Sequence, residues 1–208
     1  MLRILGRASS INVRKVLWTA AEAGVEFERE DWGIGFRSTR DQSFVALNPN
    51  SLVPVVVDED DFTLWESNTI CRYLAAKTSR TDLLPATPRA RAEVERWMDW
   101  QAGELNNAWR YAFMALVRKS PAHTDANAVA ASAAEWNRHM TMLDAQLQRT
   151  GAHVAGAEFT LADIVLGVST QRWLATPVER PALPAVQAWF ARVSARPAYA
   201  AQAIGAHP

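Results

Sequence analysis

The sequence is poor in cysteine and histidine, the side chains that most often build structural metal and redox sites. Its 208 residues include a single cysteine, Cys71. One cysteine excludes a disulfide within the chain and any CxxC motif. The four histidines lack the spacing of metal ligands, so we expect no metal site; they are His123, His139, His153 and His207.

An excess of one charge and long apolar runs are also missing. Lys and Arg together number 22, and Asp and Glu together also number 22. The chain therefore has no basic field of the kind that attracts nucleic acid or an anionic membrane surface. No segment reaches the roughly 20 apolar residues that a membrane span requires. We expect a soluble, cytoplasmic protein with no nucleic-acid and no membrane partner.

The most informative stretch predicts a β-hairpin followed by a helix. Val53-Pro54 leads into the apolar run 55–57, residues 58–61 form a polar turn, and residues 63–65 return as a second strand. A proline at the start of a strand costs no ladder hydrogen bond. A V-P step of this kind is usually only a turn, but it can also leave the preceding backbone free to pair with a ligand.

Glu66 and Ser67 follow this hairpin directly and begin the predicted helix, with Ser67 as its N-cap. Helix starts collect free N–H groups and partial positive charge. The pair would therefore offer a carboxylate, a hydroxyl and amides to one end of a zwitterion. The plainer interpretation is that Ser67 only caps the helix.

The pattern of elements predicts two domains joined by a linker. Residues 1–78 read as β-α-β-α-β-β-α, which places helices on a mixed four-stranded sheet. Residues 79–88 contain two prolines and no helical period, as a linker does. Residues 89–208 read as helix almost throughout, including one long helix from Arg89 to Lys119.

A helix start inside the second domain carries a strong folding signal. Thr160 and Asp163 have the spacing of a capping box, and Phe159 and Ile164 have that of a hydrophobic staple. The helix that follows has almost no polar face. We expect it to be the buried centre of the helical domain.

Four stretches of the chain form a recognisable set in this order: SSINVRKVLW (9–18), NPNSLVPVVV (48–57), LWESNTICRYLA (64–75) and FTLADIVLG (159–167). Together they resemble the cytosolic glutathione transferases along the whole chain, and in particular bacterial members with a Ser or Asn active site. This resemblance implies a thioredoxin-like α/β domain followed by an all-helical domain, and an enzyme that activates glutathione as a thiolate. Ser51 departs from it, since many members have glycine there.

The resemblance also implies how glutathione is held. Its cysteinyl backbone would pair with Val53 before Pro54, and its γ-glutamyl end would contact Glu66 and Ser67. No basic residue clearly matches the position that binds the glycine end, for which the nearest candidates are Arg37 and Arg40.

The group that contacts the glutathione sulfur stays open between three residues. A hydroxyl or amide donor at a helix start stabilises a thiolate and lowers its pKa. Counting back from Arg14 in the family's Ser-type pattern favours Ser10. Asn12 and Ser9 are the alternatives, and Asn12 could instead be only the N-cap of a helix that begins at Val13.

The electrophile is expected between the domains, and its identity has no sequence motif. Candidates for contact with the electrophile are the loop at Arg7 and Ala8 and the long-helix residues Trp109, Arg110 and Phe113, although the last three could serve packing or solubility alone.

Two other functions are alternatives to a transferase. They are a glutathione-dependent isomerase of the maleylacetoacetate type and a non-catalytic glutathione-binding protein. The resemblance implies a homodimer formed through the third and fourth helices.

Overall fold

Four short strands form one mixed sheet in the N-terminal half of the protein. The structure, a computed structural model, describes residues 1–202, so His207 and the end of the predicted helical domain lie outside the described residues. The sheet order is β2-β1-β3-β4, with β1 and β2 parallel and the other pairs antiparallel. The strands are β1 (Leu2–Leu5), β2 (Phe27–Glu30), β3 (Val55–Val57) and β4 (Thr63–Trp65).

Three helices complete this half and confirm the predicted thioredoxin-like order of elements. Helices α1 and α3 pack against each other. Gly24 ends α1 in a left-handed conformation with φ of 68°, as glycine commonly does at a helix C-terminus. The helices are α1 (Ile11–Ala23), α2 (Gln42–Val45) and α3 (Ser67–Lys77), and a 3₁₀ turn (Glu59–Asp61) links β3 to β4.

Both faces of the sheet are buried along β3, and one buried cluster lies on the face of Val55 and Val57. Val55 and Val57 point to the same face because side chains alternate along a strand. They pack in a buried cluster with Leu5, Trp32 and Phe44. The sequence VPVVV thus anchors the residues just before it to a rigid sheet.

Two predicted helix caps are wrong by one or two residues. Helix α1 begins at Ile11 with Ser10 at the N-cap position, so Asn12 lies in the first turn and does not cap. Helix α3 has Glu66 at its N-cap position, and Ser67 is its first residue. In both cases the backbone turns into the helix without a side-chain cap, and residue preference alone therefore misled the prediction.

The chain divides into two compact units, residues 1–85 together with the described residues from Arg196 onward, and residues 86–195. The second unit is helical throughout. Its helices are α4 (Pro88–Trp100), α5 (Asn106–Leu116), α6 (Ala126–Thr150), α7 (Leu161–Ala175) and α8 (Pro184–Ser194).

Helix α7 is the buried centre of this unit, as predicted. Residues 161–170 are all buried, and the Thr160 amide donates to the Asp163 carboxylate at 2.9 Å, as in a capping box. The long helix expected from Arg89 to Lys119 is instead interrupted by a π-helical segment, Gln101–Leu105. There the Gln101 side chain donates to Asn106 Oδ1 at 2.9 Å and holds the widened turn.

A last short helix, α9 (Pro197–Gln202), groups with the first unit, although the sequence predicts a helical domain that includes these residues. Tyr199 packs edge-on against Trp18 of α1 at 4.9 Å between ring centroids. Arg196 donates two hydrogen bonds to Glu22 at 2.6 and 2.7 Å. These contacts between distant parts of the chain leave no local sequence pattern.

None of the helices among residues 1–202 combines the length and the apolar character needed to cross a membrane.

Candidate active site

A small cleft in the first unit brings together five of the predicted site residues. It holds about 60 Å³ and lies where the starts of α1 and α3 meet the loop before β3. The predicted residues that line it are Asn12, Val53, Pro54, Glu66 and Ser67, and Asn48, Asn50 and Leu52 complete the wall.

Val53 lines this cleft beside a cis Val53-Pro54 peptide bond. Within residues 1–202, the Val53 amide and carbonyl make no hydrogen bond to another residue. Gly6 allows the close packing behind Val53, because a Cβ at Gly6 would lie 3.0 Å from Val53 Cβ and 2.5 Å from a Val13 methyl group. An extended peptide could therefore pair with Val53 as with the edge of a sheet.

The start of α3 adds polar groups to the cleft lining. Glu66 has φ of 74°, a left-handed conformation that costs a non-glycine residue about 1–3 kcal/mol and is typical of ligand sites. The first helical bond here runs from the Ile70 amide to the Glu66 carbonyl at 2.9 Å. The preceding amides and the buried Ser67 hydroxyl are thus suited to a carboxylate, and the Glu66 carboxylate to an ammonium group.

The start of α1 supplies the third wall, and it separates the three candidates for the sulfur contact. Asn12 lines the cleft, whereas Ser9 and Ser10 do not. The Ser9 hydroxyl accepts a hydrogen bond from Arg7 at 3.2 Å. The Ser10 hydroxyl makes no cap hydrogen bond, and the first bond of α1 runs from the Arg14 amide to the Ser10 carbonyl at 3.0 Å.

Two family models match the chain in sequence, "Glutathione S-transferase, N-terminal domain" over residues 2–76 and "Glutathione S-transferase, C-terminal domain" over residues 106–197. The chain belongs to the glutathione S-transferase family. It is 38% identical over 199 residues to glutathione S-transferase GstB of Escherichia coli K12, which covers 95% of both proteins. Glutathione S-transferase 3 of Zea mays is 35% identical over 206 residues, which covers 95% of this chain and 91% of the relative.

A solved structure agrees over the full length. It is the theta class glutathione S-transferase of the citrus canker pathogen Xanthomonas axonopodis pv. citri, crystallised with glutathione bound. The two structures have a TM-score of 0.92 and 38% sequence identity, and the match covers 100% of this chain and 99% of that chain. The protein described here is therefore a glutathione transferase, an enzyme with glutathione as its co-substrate. The isomerase and the non-catalytic alternatives are not favoured, since these relatives are named as transferases.

Sequence reasoning missed the asparagine that shapes the cleft wall of this transferase. Asn48 is buried and donates from Nδ2 to the Leu52 carbonyl at 2.8 Å, while its Oδ1 accepts from the Asn50 amide at 3.0 Å. These bonds fold the loop that leads to Val53. The signal was present in the N-P-N turn sequence, because asparagine side chains readily bond to the backbone two residues on. Ser51 in this loop has φ of 55°, the conformation that glycine adopts without strain.

The two arginines proposed for the glycine end differ in their contacts. Arg37 lies over the Trp32 ring at 3.9 Å and 4.0 Å from the Glu30 carboxylate. The Arg40 side chain is exposed and has no hydrogen-bond or ion-pair partner among residues 1–202, although its backbone amide donates to Ser38 at 3.1 Å. Neither arginine lines the cleft.

The residues predicted for the electrophile fall in both units, and each unit is described by itself. Arg7 and Ala8 are half-buried in the loop before α1 of the first unit. In the helical unit Trp109 and Phe113 are buried and pack edge-on at 5.4 Å. Arg172 lies over both rings, at 4.6 and 4.1 Å.

Arg110, the third of the long-helix candidates, is exposed on α5. Among residues 1–202, no three His, Cys, Asp or Glu side chains come close enough to hold a metal ion. The expectation of no metal in the full chain stays a prediction.

Proposed function

We propose that this transferase binds glutathione extended across the cleft and activates its thiol as a thiolate for attack on a hydrophobic electrophile. The cysteinyl backbone pairs with the free amide and carbonyl of Val53. The γ-glutamyl carboxylate binds the Ser67 hydroxyl and the amides at the start of α3, and its ammonium group binds Glu66. One observation carries this proposal: Asn12, Val53, Glu66 and Ser67 line the same cleft.

We assign the sulfur contact to Asn12. Its side-chain amide can donate to a thiolate, and the unbonded amides in the first turn of α1 add partial positive charge. A free thiol has a pKa of about 8.5, so a donor that favours the anion is needed at neutral pH. Ser10 is the second candidate, because its hydroxyl is not used as a cap. Ser9 is the weakest of the three, since its hydroxyl already accepts a bond from Arg7.

For the glycine carboxylate we favour Arg40 over Arg37. An arginine with an uncommitted guanidinium can form the two parallel hydrogen bonds that a carboxylate accepts. Arg37 would have to give up its contacts with Trp32 and Glu30 to do the same.

The electrophile, assembly and location complete the proposal. An apolar electrophile fits the aromatic character of Trp109 and Phe113, the residues proposed with Arg7, Ala8 and Arg110 to contact it. We also propose a homodimer, which light scattering tests directly, and a cytoplasmic location, which suits a chain whose only cysteine is reduced and buried.

Calorimetry of glutathione binding and a conjugation assay with an activated aryl chloride test this function together. The parent should bind glutathione and form the conjugate. Ser67→Ala should raise the Kd about tenfold or more, the usual cost of losing a hydrogen bond to a charged group. Thr69→Ala is the matched control, since Thr69 is exposed in the same helical turn and does not line the cleft. Equal Kd values for the two variants would contradict the proposed binding mode.

A further inference from the structure

A buried lysine lies behind the cleft, in the contact between α1 and α3. The Lys15 side chain is 1% exposed. Its Nζ donates to Asn68 Oδ1 at 3.3 Å. This hydrogen bond connects two helices whose starts both line the cleft.

The positions of these two residues relate them to the ligand contacts. Asn12 and Lys15 are three residues apart on α1, so they are neighbours on one face of that helix. Asn68 directly follows Ser67 in the first turn of α3. The Lys15–Asn68 bond therefore links the helix of the residue proposed for the sulfur to the helical turn of the residue proposed for the γ-glutamyl carboxylate.

The charge of Lys15 also acts across this contact. The thiol of Cys71 lies one turn beyond Asn68 on α3. Burial raises the Cys71 pKa to about 11, while the positive charge of Lys15 opposes that rise. Glutathione carries two carboxylates and one ammonium group, so it enters the cleft as a net anion. A cation in a low-dielectric interior attracts an anion more strongly than one in water does.

We propose that Lys15 is a positioning residue for glutathione, which holds the first turn of α3 through Asn68 and supplies a buried positive charge behind the bound anion. This inference rests on the proposed binding mode. It adds a residue that does not touch the ligand and does not line the cleft.

Two variants separate the charge from the packing. Lys15→Gln removes the charge and keeps a hydrogen-bond donor. Asn68→Asp keeps Lys15 and its acceptor but neutralises the charge with a carboxylate. The probe is S-methylglutathione, which has the same carboxylates and no ionisable thiol, and its Kd is measured by calorimetry together with the thermal unfolding midpoint. Lys119→Gln, at an exposed lysine of the helical unit, is the matched control.

We expect the Kd to rise about tenfold in both variants, as for the loss of one favourable charge interaction, and to stay unchanged in Lys119→Gln. In turnover with glutathione, KM should rise more than kcat falls. Asn68→Asp should unfold at the parent's temperature or above, because its carboxylate pairs with Lys15. If Lys15 only stabilised the fold, affinity and stability would not change separately in this way.

A folded Asn68→Asp protein that binds the probe as tightly as the parent would overturn the role of Lys15, even if Lys15→Gln does not fold. If the parent itself does not bind the probe, the proposed binding mode fails along with this inference.

Discussion

Replacing Asp163 by Ala should destabilise the helical unit far more than the loss of an ordinary helix cap. The Asp163 side chain is fully buried. Besides the Thr160 amide at 2.9 Å, its carboxylate accepts the Val154 amide at 3.0 Å and the Trp189 Nε1 at 2.8 Å. One carboxylate thus joins the loop before α7, the start of α7 and helix α8.

The expected loss follows from the donors that the substitution leaves without a partner. Three N–H groups would remain, and each buried unsatisfied donor costs about 1–3 kcal/mol. We therefore expect the free energy of unfolding to fall by at least about 3 kcal/mol, against a total of about 5–15 kcal/mol for a typical domain. The capping box alone would account for only about 1–2 kcal/mol.

Urea unfolding followed by tryptophan fluorescence measures this loss. Asp125→Ala is the matched control, since Asp125 caps α6 at an exposed position by accepting from the Asn127 amide at 2.8 Å. That variant should lose about 1 kcal/mol. If the two variants lose the same amount, Asp163 is only a cap, and its role as a junction is refuted.

Two further predictions concern titratable groups of the first unit. Burial raises the Cys71 pKa to about 11. An aromatic disulfide reagent should therefore leave Cys71 unmodified at pH 7 until the protein unfolds, and rapid labelling of the folded protein would contradict this. Cys71→Ala should keep the parent's kcat/KM. Burial opposes ionisation of Asp58, but hydrogen bonds from Lys77 and Tyr73 outweigh it and lower the Asp58 pKa below its usual 3.8. The stabilisation from Asp58 is therefore complete above about pH 4 and is lost as pH falls through the lowered pKa. The difference in unfolding midpoint between the parent and Asp58→Asn should accordingly be large at pH 7 and shrink on acidification.

The sequence predicts the strands, most helices and several residues of the candidate cleft because those features depend on local patterns. The apolar run at residues 55–57 and the glycine at the end of α1 each involve a few neighbouring residues. Val53, Glu66 and Ser67 were found in the same way, since a proline before a strand and a polar pair before a helix are visible in the chain itself.

The remaining features depend on contacts between distant residues. Two partners of Asp163, Val154 and Trp189, lie outside its capping box, and nothing local to Trp189 indicates that its indole donates there. Helix α9 docks on α1 through Tyr199 and Trp18, which are far apart in sequence. The choice between Ser10 and Asn12 depends on where α1 begins, and that boundary is the least reliable part of a prediction from residue preference.

The most direct test of the central claim is the ultraviolet absorbance of the glutathione thiolate against pH, in the parent, Asn12→Ala and Ser10→Ala. We expect bound glutathione in the parent to ionise well below the free thiol pKa of about 8.5. Asn12→Ala should return it close to that value, while Ser10→Ala should change it little. If glutathione binds to the parent without forming a thiolate below pH 8.5, the proposed activation at the start of α1 is wrong. If only Ser10→Ala returns the thiol pKa to that of free glutathione, the sulfur contact belongs to Ser10 and not to Asn12.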